Sequence, residues 1–212
     1  METNGSDQLK LARSYTFWFS GLFKSKPENE NGEHKHDSRM KHHMEPLANF
    51  DTVEDFWAIY QHLTKPDGLA LKACYHVFQK GIMPFWEDEA NKEGGRWHVW
   101  LPKGQTNKLW EDLLIYVLGS QSTYSDQICG IEVRTKLRGD SLSIWHKNAS
   151  DDDEKEAIKN DFIKAIGAEG SSLKVEYHRF TDSIAFERQS KAKKTKPFKR
   201  NAVKTEGENT ND

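Results

Sequence analysis

The stretch ICGIEVRTKLRGDSLSIWHK, Ile128–Lys147, decides the fold. In its first half, Cys129, Ile131, Val133, Thr135 and Leu137 fall on one side of an extended chain, and Glu132, Arg134, Lys136 and Arg138 on the other. A period of two is the mark of a strand with one buried face. Gly139-Asp140 then reads as a two-residue turn, and Ser141–Lys147 as the return strand. With that turn Arg138 faces Ser141, Lys136 faces Ser143 and Arg134 faces Trp145, so one indole lies among three cations. Such a face suits a phosphate attached to something flat. It equally suits a solvated strand face with one Trp as a lid.

Outward from this hairpin, strands and single helices alternate. Tyr15–Phe19, Ala73–Phe78, Arg96–Leu101 and Leu173–Phe180 read as further strands. Asp51 or Thr52 can cap a first helix, with Glu54 or Asp55 as the reciprocal carboxylate; Val53, Phe56, Trp57, Tyr60 and Leu63 recur at helical spacing. Pro66 and Gly68 end it. Asn107 can cap a second helix, Lys108–Leu118, with Gly119 as its C′ glycine. Ser150 can cap a third, whose acidic first turn, Asp151–Glu154, suits the positive end of the helix dipole and which Gly167 ends. Strands linked by hairpins with interspersed single helices give an α+β domain with one antiparallel sheet.

The 212 residues are enough for one domain. Residues 1–13 are polar and expected to be flexible, 14–187 form the domain with a long polar loop at 24–45, and 188–212 form a disordered basic-then-acidic tail. The tail's Arg188–Arg200 carries seven basic residues and no acid, while the whole chain has a net charge of −2. An anion would therefore be bound by a local cluster, not a global field. The longest apolar run, Leu113–Leu118, is far short of the roughly 20 residues of a membrane span, so no membrane partner is expected. Two cysteines, Cys74 and Cys129, give no disulfide framework, and a reduced, intracellular, cytoplasmic monomer is expected.

Two other clusters bear on function. Pro84-Phe-Trp-Glu-Asp-Glu89 lies between strands and before Gly94-Gly95. An exposed Trp86 beside Glu87 makes a base reader: the ring stacks and the carboxylate accepts the N–H donors of a guanine edge. A cationic base stacks better, by about 0.5–2 kcal/mol. The alternative is a Trp packed under a loop with solvated acids. The second helix is apolar almost all round from Leu113 to Leu118, so with Val53 and Trp57 it offers either a patch for a partner helix or a helix buried on both sides. His34, His36, His42 and His43 lack metal-ligand spacing, and no nucleophile elbow, P-loop or H-E-x-x-H occurs, so neither an enzyme nor a metal or other cofactor is expected.

These segments, in this order, resemble the translation initiation factor 4E family, which binds the 7-methylguanosine cap of mRNA. FDTVEDFW (Phe50–Trp57), GIMPFWEDEANKEGGRW (Gly81–Trp97), CGIEVRTKLRGDSLSIW (Cys129–Trp145) and TDSI (Thr181–Ile184) carry the likeness. YTFWFS (Tyr15–Ser20), WEDLL (Trp110–Leu114), NASD (Asn148–Asp151) and VEYHRFTDSI resemble its class-2 branch, the 4E homologous proteins. The resemblance implies an α+β fold with a curved antiparallel sheet and three helices on its convex face. It also implies that Trp86 is the second of two stacking aromatics, that Glu87 reads guanine N1 and N2, and that Trp145 contacts the N7-methyl. Arg96, Lys136 and Arg138 become the phosphate-side cations, with Lys136 where the family usually has Arg. The first aromatic's place falls on Met40, with His42 or His43 near it, and Ser141 replaces a phosphate lysine. Val53, Trp57, Asp112, Ile115 and Gly119 fall on the dorsal site, where a helix with a Tyr-x-x-x-x-Leu-apolar motif docks; the family's His-Pro pair is missing, and Leu9-Lys10-Leu11 stands in its place. The expected protein is a cap-binding translational regulator, with cap affinity below that of a mainstream factor. The alternative is a 4E-like interaction scaffold with weak or lost cap binding.

Overall fold

The computed structural model describes residues 8–24 and 40–186. Its seven strands are β1 (Lys10–Lys24), β2 (Met40–Thr52), β3 (Cys74–Gln79), β4 (Gly95–Leu101), β5 (Ile128–Thr135), β6 (Asp140–His146) and β7 (Val175–Arg179). They form one curved sheet in the order β2-β1-β3-β5-β6-β4-β7, with every neighbouring pair antiparallel. Helices α1 (Val53–Tyr60), α2 (Thr106–Leu118) and α3 (Asp152–Ala165) pack on the convex face, as the sequence leads one to expect. Residues 180–186 add a further helical stretch. No helix among the described residues is long and apolar enough to cross a membrane.

Alternation along the strands builds two separate cores. Phe17, Tyr75, Val77, Val99, Ile131, Val133, Leu142 and Ile144 face the helices and meet Phe56, Trp110, Leu113, Leu114, Ile158 and Phe162. On the other face, Phe78, Cys129, Trp145 and Phe180 form a smaller cluster, with Trp18, Ile82 and Trp86 packed against it. That second cluster is the base of the functional site.

Helix termini follow local chemistry with some differences. Thr52 caps α1, its Oγ1 accepting from Asp55 N at 3.0 Å, but Glu54 turns away to accept from Leu9 N at 3.0 Å. Gln105, not Asn107, stands at the α2 N-cap, because Asn107 Oδ1 accepts from Asp67 N at 3.0 Å instead. Gly119 is the α2 C-cap at φ −73°, so the left-handed position falls on Ser120 at φ 49°. Asp151, one residue past Ser150, caps α3. Gly167, at φ 60°, closes α3: its N–H donates to Lys164 O and that of Ala168 to Ile163 O, a pair of bonds that needs a left-handed residue.

Two expectations about the strand boundaries change. β1 already starts at Lys10, so residues 10–13 are strand and not a flexible arm. β2 starts at Met40, so residues 40–45 are strand and not loop. β2 is the sheet's edge, paired only with β1, and much of it is exposed; no buried face imposes alternation on MKHHMEPLAN. Pro46 is tolerated at that edge, where the register slips between Phe17 and Trp18. Residues 25–39, including His34 and His36, and the tail 188–212 lie outside the described residues.

The hairpin register also differs. Thr135 pairs with Asp140, Arg134 with Ser141, Glu132 with Ser143 and Gly130 with Trp145, so residues 136–139 make the turn. Asp140 is fully buried and binds rather than turns: its carboxylate accepts from Lys136 N (3.1 Å), Lys103 Nζ (2.6 Å) and Thr106 Oγ1 (2.8 Å). Gly139 is required because a Cβ there would sit 2.6 Å from Leu101 O. The slip is four residues, an even number, so Arg134 keeps its face and changes its partner, while Lys136 and Arg138 pass into the turn.

Candidate functional site

The loop from β3 to β4 carries Trp86 and Glu87. Its frame is Asn91, fully buried, whose Nδ2 donates to Met83 O (2.8 Å) and Phe85 O (2.7 Å). Asp88 adds two more bonds, accepting from Met83 N and Ala90 N. A short apolar run with one amide and one carboxylate thus folds back on itself. Trp86 is half-buried against the smaller core, and Glu87 is exposed at the rim.

Trp86 and Glu87 open onto a cavity of about 470 Å³. Pro84 and Phe85 complete that wall; Arg96, Glu132, Arg134, Lys136 and Trp145 come from the sheet and its hairpin, His76 from β3 and Met44 from β2. Trp145 is held by Phe78 (ring centroids 5.2 Å apart) and Phe180 (4.5 Å). Its Nε1, like Arg96 Nε, is buried without a hydrogen-bond partner among the described residues.

Beneath the cations lies a buried acid. Glu132 Oε1 is 3.2 Å from Arg134 Nε and 3.5 Å from an Arg96 guanidinium nitrogen, and Oε2 is 3.5 Å from His76 Nδ1. His76 Nε2 is in turn 2.9 Å from Ser20 Oγ. Burial alone would raise the Glu132 carboxyl, but Arg134, His76 and Arg96 outweigh it and hold it well below the ordinary carboxylate range. Lys136 is pushed down by burial and by the like charges of Arg134 and Arg96. The arrangement is a shelf of three cations over one fixed carboxylate, with an aromatic at each side.

The structure brings Trp86, Glu87, Arg96, Lys136 and Trp145 to one cavity. Arg138 does not line it; the changed register leaves it exposed in the 136–139 turn. His43 is exposed, with Nε2 3.3 Å from Glu45 Oε2, while Met44, on the opposite side of the strand, lines the cavity. The Met40 and His42 side chains lie outside the described residues. His76, Glu132 and Met44 also line the cavity, and nothing in the sequence points to them as site residues. Arg134 had a signal, its place beside Trp145; Glu132 had none, since one acid in a basic strand face reads as solvated. Ser141, where a cation is lacking, is paired across the strands with Arg134.

On the helix face, Trp57 is 41% and Ile115 47% exposed. The Trp57 ring stands edge-on to Phe56 and Tyr60, at 5.0 and 5.8 Å. Val53 and Asp112 are half-buried and Gly119 is exposed; Asp112 pairs with Lys108. Leu113, Leu114, Tyr116, Val117 and Leu118 are all buried, so of the apolar run in α2 only Ile115 faces outward.

The chain matches the family model described as Eukaryotic initiation factor 4E over residues 10–195. Eukaryotic translation initiation factor NCBP of Oryza sativa is 43% identical over 105 residues, 50% of this chain and 46% of that protein. The match thus spans about half the length of that relative, as it does of the Triticum aestivum one, at 45%. Eukaryotic translation initiation factor 4E-4 of Caenorhabditis elegans is 31% identical over 180 residues, 85% of this chain and 81% of that one. Among solved structures, a complex of C. elegans eIF4E-3 with the 4E-binding protein Mextli and a cap analog superposes with a TM-score of 0.70 at 29% identity, covering 84% of this chain and 96% of that one. Ascaris suum eIF4E-3 with the m2,2,7G cap gives 0.66 at 29% identity, covering 80% and 91%. With a family model matched along most of its length and the same sheet-and-helix architecture, the chain belongs to the eukaryotic initiation factor 4E family.

Proposed function

We propose that this chain binds the 7-methylguanosine cap of mRNA and regulates translation by that recognition, with no covalent step. The observation that carries the reading is one cavity joining Trp86 and Glu87 to Trp145 and a cation shelf. Trp86 stacks on the methylated guanine, Glu87 accepts its N1 and N2 hydrogens, and Trp145 abuts the N7-methyl. Arg96 and Lys136 hold the phosphates with Arg134, while Arg138 reaches them only from the turn. From β2, Met44 covers the second face of the base, in place of Met40 or His43. A thioether covers a base less well than an indole, which supports a cap affinity below that of a mainstream factor.

N7-methylation makes the guanine cationic, so stacking on Trp86 gains about 0.5–2 kcal/mol. Calorimetric titration of the protein should accordingly show 7-methylguanosine triphosphate bound about two- to thirtyfold more tightly than guanosine triphosphate. Equal affinities would remove the basis of the cap reading, and no binding of either would leave the scaffold alternative.

The dorsal face is assigned to a partner protein whose helix carries a Tyr-x-x-x-x-Leu-apolar motif. The exposure of Trp57 and Ile115 supports this, with Val53, Asp112 and Gly119 around them. Trp57→Ala should remove most binding of a peptide with that motif, measured by pull-down, while cap retention stays unchanged; peptide binding at the wild-type level would refute the assignment. The class-2 likeness favours repression or transcript-selective regulation, acting as a monomer in the cytoplasm.

A further inference from the structure

Trp100 is not accounted for by either core. It belongs to β4, where Trp97, Val99 and Leu101 are buried under the helices and Arg96, His98 and Trp100 face the cavity side. At 48% exposure it is an indole displayed on the same surface as the cap cavity, though it does not line that cavity. A lone exposed aromatic is ordinary. This one has a cation on its face: Lys136 Nζ lies 3.5 Å from the ring centroid. Lys136 also lines the cavity, so one side chain joins the two places.

The register sets out a track. Arg96 pairs with Trp145, and Trp100, four residues on, pairs with Ser141, which pairs in turn with Arg134. Four strand residues cover about 13 Å. Arg96, Arg134 and Lys136 therefore step from the level of Trp145 to the level of Trp100. Three linked phosphates followed by a ribose cover such a length, and they leave the far base at the indole. The 136–139 turn that carries Lys136 is itself anchored, through Asp140, to Lys103 and Thr106. Three cations crowded together raise one another's energy until an anion arrives. Burial and the two arginines already push Lys136 down.

We propose that Trp100 stacks the base of the nucleotide that follows the cap's triphosphate, with Lys136 turning from the ring onto the last phosphate as the base arrives. The inference rests on the cap reading above and adds a second nucleotide to the ligand. Base–aromatic stacking tolerates every base, so the site selects length rather than sequence.

The test is calorimetric titration of the full chain with 7-methylguanosine triphosphate and with a capped dinucleotide whose second nucleoside is adenosine. The wild type should bind the dinucleotide about tenfold more tightly, the gain of one stacked base. Trp100→Ala should lose that gain while keeping mononucleotide affinity within about twofold, and Trp100→Phe should retain most of it. Equal wild-type affinity for the two ligands overturns the proposal, as does a Trp100→Ala variant that keeps the gain or weakens both ligands alike. If the wild type binds neither ligand, the cap reading itself fails, and the mononucleotide result distinguishes that case.

Discussion

Trp86→Ala is expected to lower affinity for 7-methylguanosine triphosphate by two orders of magnitude or more and to abolish retention on cap resin. The indole supplies a stacking platform, about 1–3 kcal/mol per base, together with cation–π attraction of about 0.5–2 kcal/mol for a cationic one. Together these terms make about 3 kcal/mol. The fold should not suffer. Trp86 stands at the edge of the smaller core, and Asn91 and Asp88 hold the loop by bonds that do not involve its side chain. A thermal melt within a few degrees of wild type is the control. Glu87→Ala should act similarly, because it leaves two guanine N–H donors without an acceptor. Wild-type affinity in both variants would show that the cavity binds something else or binds it elsewhere.

Glu132→Ala should be the most destabilising change at the site, by about 3–5 kcal/mol. The carboxylate is buried between Arg134, Arg96 and His76, and removing it leaves like charges facing one another in a poorly solvated place. For a chain of this size that corresponds to a fall in melting temperature of about 10 °C. The linkage to pH has a definite sign. A carboxyl held below its ordinary value of 4.5 contributes its full stabilisation above that value and loses it as pH falls toward the folded-state value. The gap in melting temperature between wild type and Glu132→Gln should therefore be constant above about pH 5.5 and narrow below about pH 4. A gap that widens on acidification, or a Glu132→Ala variant as stable as wild type, would contradict the buried ionised state.

Glu132 also shows why the site was only partly legible. Trp86, Glu87, Arg96, Lys136 and Trp145 were readable because each is of an unusual type for its segment and each sits in a segment resembling a known family. Glu132 is an ordinary residue among ordinary cations. Its importance comes from His76 on β3 and Arg96 on β4, strands that reach it only in the folded sheet. Met44 is illegible for the opposite reason. An edge strand with no buried face carries no periodic signal, so the second wall of the cavity read as loop.

The sequence by itself determined what local chemistry decides. It set the alternation that makes β5 and β6 strands, the Thr52 cap of α1, the Gly167 end of α3, and the aromatic-acid pair in the β3–β4 loop. Each depends on residues a few positions apart. Only the tertiary structure decided the hairpin register, the place of Arg138 outside the cavity, the pairing of β2 and the charge state of Glu132. Asp140 illustrates the reason. In a tetrapeptide it favours a turn, but in the fold its carboxylate meets Lys103 and Thr106, more than 30 positions away, and it begins a strand instead. A buried carboxylate without partners costs several kcal/mol, more than any turn preference supplies, so the distant donors prevail.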